Sequence, residues 1–274
     1  MFLLRSGHRP LTEAHRRSWR ERGYVRLEGL YDRSVVARLD RIVDDLFTGR
    51  PENVTVDDIE SNRRMRMRDV VGTRFERRLK INDLYLSHEE VREALLDASL
   101  TAVLHELLGH EPVLCNTLSI DRGTQQPRHV DTLFMTPQSD DHLIATWTPL
   151  EDVHAHSGPL FYYPGSHLIP PYRFSHGGQH VEWSEFAAWE AYVDAEIERR
   201  GLVREVFLPR AGDVFIWHAR LVHGGSPIER EDLTRRSLVA HYYSGADCEL
   251  MGAKVARTRS GGAWLDRPPQ PVPA

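Results

Sequence analysis

His129 and Asp131 stand two apart in "QQPRHVDTLFM". An imidazole and a carboxylate offer a nitrogen and an oxygen donor to a metal ion. On an extended chain, residues two apart face the same way, so both donors would converge on one point. A chain with 15 His is expected to contain a His-x-Asp by accident, so the tripeptide alone carries little weight. A third donor has to come from elsewhere, and "WHARLVHGG" supplies His218 and His223. His223 ends an apolar run just before Gly224 and Gly225, where a strand meets a loop. His218 lies inside that run, an odd number of residues away, and in a regular strand it would face the other side. His223 is the preferred third donor. Two imidazoles and one carboxylate on one face of an octahedral ion leave the opposite face open, which is the donor set of non-haem Fe(II) sites. Zinc would accept the same ligands.

A second constellation follows in "TRRSLVAHYY". Arg235 and Ser237 are two apart at the start of an apolar run and would share a face. A guanidinium grips a carboxylate through two N–H groups, and a hydroxyl can add a third hydrogen bond. One strand beyond the distal His, such a pair could hold the far end of a dicarboxylate whose near end chelates the metal. That suggests 2-oxoglutarate. Arg235, Arg236 and Ser237 in a merely charged turn would look the same.

The elements that must position these residues are legible in part. "YDRSVVARLDRIVDDLFTG" puts Val35, Val36, Leu39, Ile42, Val43, Leu46 and Phe47 on one helical stripe, with Asp32 as N-cap and Gly49 as stop. "SHEEVREALLDASLTAVLHELLG" opens with Ser87 and Glu90 at capping-box spacing and reads as a helix closing on Gly109. Between them, "RPENVTVDDIESNRRMRMRDVVG" reads as an irregular, solvated loop. After Gly109 come short Val-, Ile- and aromatic-rich runs punctuated by Gly, Pro and Asp, the pattern of a jelly roll. One helix interrupts them, with Phe186, Trp189, Val193 and Ile197 on one face and Gly201 as its stop. The expected architecture is mainly β with flanking α-helices, a cupin-like double-stranded β-helix. It is read as one domain over residues 1–274, with a helical N-terminal part to about 110 and a jelly-roll core from about 111 to 250.

Composition narrows the class. A formal net charge of −5 argues against a general binder of nucleic acid or acidic membranes. Only Lys80 and Lys254 are lysines, so nearly all the positive charge is Arg. Cys115 and Cys248 form no CxxC and read as free thiols in a reducing cytosol. "MFLLRSGHRP" is too soon charged for a signal peptide, and no stretch approaches the roughly 18 apolar residues of a membrane span. The expectation is a cytoplasmic, enzyme-sized protein acting on a small molecule.

From about Leu118 to Tyr243 the chain resembles the phytanoyl-CoA dioxygenase family of Fe(II)- and 2-oxoglutarate-dependent oxygenases. "QPRHVDT", "ATWTPLEDVHAHSGPLFYYPGSH", "AGDVFIWHARLVHGG" and "RRSLVAHYY" come in the family's order. "WRERGYVRLEGLYDRSVVARL" is similar to its helix-strand-helix entry. The resemblance implies that His129, Asp131 and His223 bind Fe(II) and that Arg235 pairs with the distal carboxylate of 2-oxoglutarate, with Arg236 as competitor. It implies that Trp147 lines the co-substrate pocket, and that Thr124, Gln126, Leu118 and Thr132 lie near it. The implied reaction uses O2, releases succinate and CO2, and oxidises an unactivated C–H bond. Hydroxylation is expected, with desaturation, ring closure or epimerisation as variants on the same cofactors. The carboxylate of Asp131 stands where halogenating relatives carry a small residue. Pro164, Gly165, Ser166, Gly212 and Asp213 read as turns, and His154, His156, His167, His176 and His180 as loop residues. The 63–78 and 167–185 loops, the latter with Tyr172, His176, His180 and Trp183, are candidates for a substrate lid. Gly225 departs from the hydroxyl residue common at its place. A zinc hydrolase and a non-catalytic ligand-binding jelly roll are the readings of other classes.

Overall fold

The computed structural model describes residues 11–273, so the stretch read above for a targeting signal lies outside the described residues. In chain order, α1 (Glu13–Arg22) leads into β1 (Tyr24–Leu27) and α2 (Arg33–Gly49). Then come β2 (Thr55–Asp58), β3 (Arg63–Arg66), β4 (Leu79–Asn82), α3 (Leu84–Ser87), α4 (Glu89–Leu95) and α5 (Ala98–Leu108). β5 (Pro112–Ile120), β6 (Leu143–Pro149) and β7 (Leu160–Tyr162) precede α6 (Phe186–Arg200). The chain ends with β8 (Glu205–Val206), β9 (Val214–His218), β10 (His223–Gly225), β11 (Ser237–Ser244), α7 (Gly245–Leu250), β12 (Val255–Arg257) and β13 (Ala263–Leu265). Among the described residues the strands form two sheets. The larger runs β1-β9-β6-β11-β5-β4-β2-β3 with β12 and β13 beside β5, and the smaller runs β10-β7-β8.

Strand alternation sorts side chains into two layers. Val214 and Ile216 of β9, and Leu238, Ala240 and Tyr242 of β11, join the apolar stripes of α2, α4 and α5. Their neighbours Phe215, Trp217 and Val239 turn the other way and pack with Leu160, Tyr162 and Phe207 of the smaller sheet or its margin. The two sheets therefore share an aromatic layer, and the expected jelly roll with flanking helices is what the chain adopts. No described helix is long and apolar enough to cross a membrane. Cys115 and Cys248 are buried free thiols.

Local readings differ in instructive places. α2 is capped by Asp32 as expected, but it stops on Arg50, not Gly49. Arg50 takes the left-handed φ of 47° while its guanidinium binds the carbonyls of Val70 and Gly72. The helix expected from Ser87 to Gly109 is broken, because Asp97 caps a new helix by accepting from the Ser99 N–H at 2.9 Å. Ser87 does not cap; its hydroxyl lies 2.9 Å from His88 Nδ1. The "solvated loop" contains a hairpin, β2 and β3, that extends the larger sheet. Asp57 lies opposite Arg64 and accepts two bonds from it, 2.6 and 2.9 Å, so the charges are cross-strand partners.

Phe215 is fully buried between the sheets. Phe215→Ala is expected to lower unfolding free energy by about 3–5 kcal/mol, read as a shifted midpoint in urea denaturation.

Candidate metal centre

The site begins as a backbone event. His129 and His223 form an antiparallel bridge, each N–H donating to the other's carbonyl at 2.9 and 3.0 Å. The approach requires glycine: a Cβ on Gly225 would lie 2.9 Å from Gln125 N, and one on Gly224 2.9 Å from the Gln126 carbonyl oxygen. Gly225, which departs from the family pattern, thus has a steric reason to be here. Asp131 does not continue a strand, as expected, but opens a 3-10 turn, Asp131–Leu133, and its N–H donates to the Ala219 carbonyl at 2.8 Å. His218 and His223 are not on one strand either; a turn at 219–222 separates β9 from β10. His218 faces Asp141 at 3.3 Å, away from this site.

The donor atoms of His129, Asp131 and His223 all lie within 4.8 Å of one another, and all three residues are buried. Nδ1 of His129 donates to the Pro127 carbonyl and Nδ1 of His223 to the Leu221 carbonyl, each at 2.9 Å. A carbonyl can only accept, so each Nδ1 carries a proton, which in the neutral ring leaves Nε2 as the lone pair a metal needs. Burial, then the charge of His223, pushes the His129 pKa down to about 3, so the ring stays neutral. Burial would raise the Asp131 pKa, but His223 and His241 hold it well below the usual carboxylate range. Its Oδ2 accepts the indole N–H of Trp217 at 2.8 Å. The result is a preformed set of two imidazoles and one carboxylate.

The cluster opens on a recess of about 530 Å³ between the sheets. Arg235 lies in its wall, 3% exposed. Nη1 donates to the Gly158 carbonyl at 2.9 Å, while Nε is buried with no partner. Among the described residues no carboxylate pairs with it, and burial pushes its pKa down to about 10. A buried guanidinium in that state favours an anion beside it, since an unpaired buried charge is costly. Arg236, the competitor, is already paired with Asp40 and Glu151. The Trp147 ring lies under the Arg235 guanidinium, 5.5 Å from its centroid, and Leu118, Thr124 and Gln126 line the recess.

Two expected residues fall elsewhere. Ser237 is buried on the recess side of β11, but its hydroxyl lies 3.4 Å from the Ile120 carbonyl, outside the lining. Thr132 is a correction: it directly follows Asp131, lies on the side of Val130, and lines a separate cavity with Val130, Leu133 and Val222. The bland histidines stay outside the cluster; His156, for example, pairs with Glu229. The expected turns are present: Gly165 and Gly212 take φ of 84° and 86°.

Sequence reasoning missed Lys80 and His241, which also line the recess. Lys80 Nζ donates to Gln126 Oε1 at 2.9 Å, and burial together with Arg235 lowers its pKa. One signal was available: Lys80 is one of two lysines in a chain that otherwise uses Arg.

A buried His-Asp-His cluster between jelly-roll sheets, faced by an arginine without an acid, is the facial-triad arrangement of non-haem metal oxygenases. Comparison with known proteins agrees. The family model for phytanoyl-CoA dioxygenase matches residues 19–237, and the chain belongs to that family. Solved structures share its fold. The 2-oxoglutarate-dependent carbocyclase SnoK from nogalamycin biosynthesis is 18% identical, with a TM-score of 0.64 over 96% of this chain and 94% of SnoK. The epimerase SnoN from the same biosynthesis is 21% identical, with a TM-score of 0.61 over 93% of this chain and 98% of SnoN. EctD from S. alaskensis, crystallised with 2-oxoglutarate and 5-hydroxyectoine, is 18% identical, with a TM-score of 0.58 over 89% of this chain and 81% of EctD. No curated protein sequence matches significantly.

Trp217→Phe keeps a ring but removes the N–H from Asp131. Metal affinity at the cluster is expected to fall about 10–100-fold in a Co(II) titration.

Proposed function

We propose that the protein is an Fe(II)- and 2-oxoglutarate-dependent oxygenase that hydroxylates an unactivated C–H bond of a small molecule. The observation that carries this reading is the pairing of a buried triad, His129, Asp131 and His223, with an acid-free Arg235 in one recess. His129 and His223 would hold the metal through Nε2, and Asp131 would offset part of its charge. Bound Fe(II) supplies the O2 activation that couples 2-oxoglutarate cleavage, to succinate and CO2, with C–H oxidation. Arg235 offers its unpartnered Nε to the distal carboxylate, and Lys80 adds a second positive charge to the same wall. Trp147, Leu118 and Val239 exclude water around the anion's stem, while Gln126 and Thr124 supply polar groups at the rim.

For the substrate, the surface beside His129 supports an apolar or flat group. Phe134 is 41% exposed with its ring 5.7 Å from that of His129, and Trp183, 66% exposed, lies 6.3 Å further on. Trp183 belongs to the loop read as a lid. The nogalamycin enzymes among the fold relatives support a role in bacterial secondary metabolism. Those relatives carry out ring closure and epimerisation on this fold, so the product, not the cofactor set, separates these outcomes from hydroxylation.

The test is succinate formation from 2-oxoglutarate by Fe(II)-loaded protein, screened with candidate small molecules. Asp131→Ala is expected to abolish it. Arg235→Ala removes a charge-assisted pair worth about 1.5–3 kcal/mol and is expected to raise the KM for 2-oxoglutarate about 10–100-fold. Succinate formation indifferent to both changes would rule out this cluster and Arg235 as the active centre, whereas Fe(II)-loaded protein that forms no succinate with any candidate would favour a hydrolase or a binding protein.

A further inference from the structure

His241 lines the recess but belongs neither to the His-Asp-His cluster nor to the Arg235 anchor. Its Nε2 lies 3.5 Å from Asp131 Oδ1, the carboxylate oxygen that Trp217 does not hold. Its Nδ1 lies 3.1 Å from Asn116 Oδ1. Asn116 has one orientation here, because its Nδ2 donates to Asp83 Oδ1 at 3.0 Å. Asn116 Oδ1 must therefore face His241 and accept from it, which places a proton on His241 Nδ1. Asp83 in turn accepts from the Thr117 N–H on the same oxygen. Its other oxygen accepts from Arg267 Nη2 at 2.9 Å and Gln270 Nε2 at 3.0 Å. Asp83, Asn116, His241 and Asp131 are all buried.

An unbroken string of side chains thus runs from the C-terminal segment to the carboxylate of the cluster. The segment itself is fixed: the Gln270 carbonyl accepts from Thr55 Oγ1 at 3.0 Å and from Arg66 Nη1 at 3.3 Å, on the β2-β3 hairpin. Asp83 holds a left-handed φ of 57° at the foot of the string, a conformation a non-glycine residue keeps only where its surroundings fix it. Arg267 and Gln270 lie beyond residue 237, where the family match ends.

We propose that Arg267 is a positioning residue for Asp131, acting through Asp83, Asn116 and His241, so that the C-terminal segment is a working part of the metal site. The inference rests on the reading of His129, Asp131 and His223 as metal ligands. The physical link is hydrogen-bond polarity. Arg267 neutralises Asp83 and saturates one of its oxygens, which leaves the other for Asn116 Nδ2. Without Arg267, Asp83 keeps Gln270, Asn116 and Thr117 as donors but loses its paired cation, so a buried carboxylate and the Asn116 amide bonded to it are no longer held in one place. A displaced Asn116 no longer holds His241 Nδ1, and the ring that lies 3.5 Å from Asp131 Oδ1 loses its anchor.

The test uses full-length protein loaded with Co(II), whose visible absorption reports ligand geometry. Arg267→Ala is expected to keep the fold by circular dichroism, change the Co(II) band shape and weaken Co(II) binding about 10-fold. Arg267→Lys is expected to restore most of both. In a His241→Phe background, Arg267→Ala is expected to produce no further change, because the string is already cut. Arg267→Gln carries the same test should the alanine variant not fold. Unchanged spectra and affinity in the Arg267 variants, or an equal effect with and without His241, would overturn the inference. A wild-type protein that binds no Co(II) would overturn the metal reading and this inference with it, whereas a binding wild type with indistinguishable variants would overturn this inference alone.

Discussion

The two-residue bridge between His129 and His223 is the constraint from which the site follows. Two reciprocal backbone hydrogen bonds bring the segment before the Asp131 turn onto β10. Once they form, the imidazoles lie with ring centroids 4.3 Å apart, and their Nδ1 protons are committed to local carbonyls. Gly224 and Gly225 permit that approach because any side chain there would meet the backbone of 125–126. The aromatic layer between the sheets supports the bridge from behind, and Trp217 carries that support to the carboxylate through its indole N–H. Packing and chemistry therefore share one residue.

Electrostatics divides the recess into two ends. At one end Asp131 is held ionised by imidazoles in spite of its burial. At the other, Arg235 is a buried cation and Lys80 a half-buried one, each with its pKa lowered by burial. Elsewhere the protein pairs its buried guanidinium groups: Arg74 is shared among Asp40, Asp44 and Asp121. The lack of an acid beside Arg235 is a local exception, and an anionic ligand resolves it at little cost.

Much of this was legible in the chain. The stripe of α2 and the alternation of β9 and β11 are direct consequences of period 3.6 and period 2, and the burial of Val35 to Leu46 and of Phe215 against Ile216 follows them. The motifs around His129, His223 and Arg235 pointed to residues that the fold gathers in one recess, although two of the geometric reasons differed. Asp131 reaches the cluster through a turn, and His218 is separated from His223 by a turn, so strict strand alternation applied to neither. The β2-β3 hairpin was hidden because its strands are short and charged: Asp57 finds Arg64 only once the turn between them forms. His241 and the string to Arg267 could not be read, and the rarity of lysine was the one hint of Lys80, since all of them depend on β4, β5 and β11 lying side by side.

The most direct measurement is an anaerobic titration of Fe(II)-loaded protein with 2-oxoglutarate, followed by the visible charge-transfer absorption of iron chelated by a 2-oxo acid. The geometry of the triad and of Arg235 predicts a band that grows and saturates with one equivalent of 2-oxoglutarate per chain. Folded protein that binds Fe(II) yet develops no such band would contradict the account.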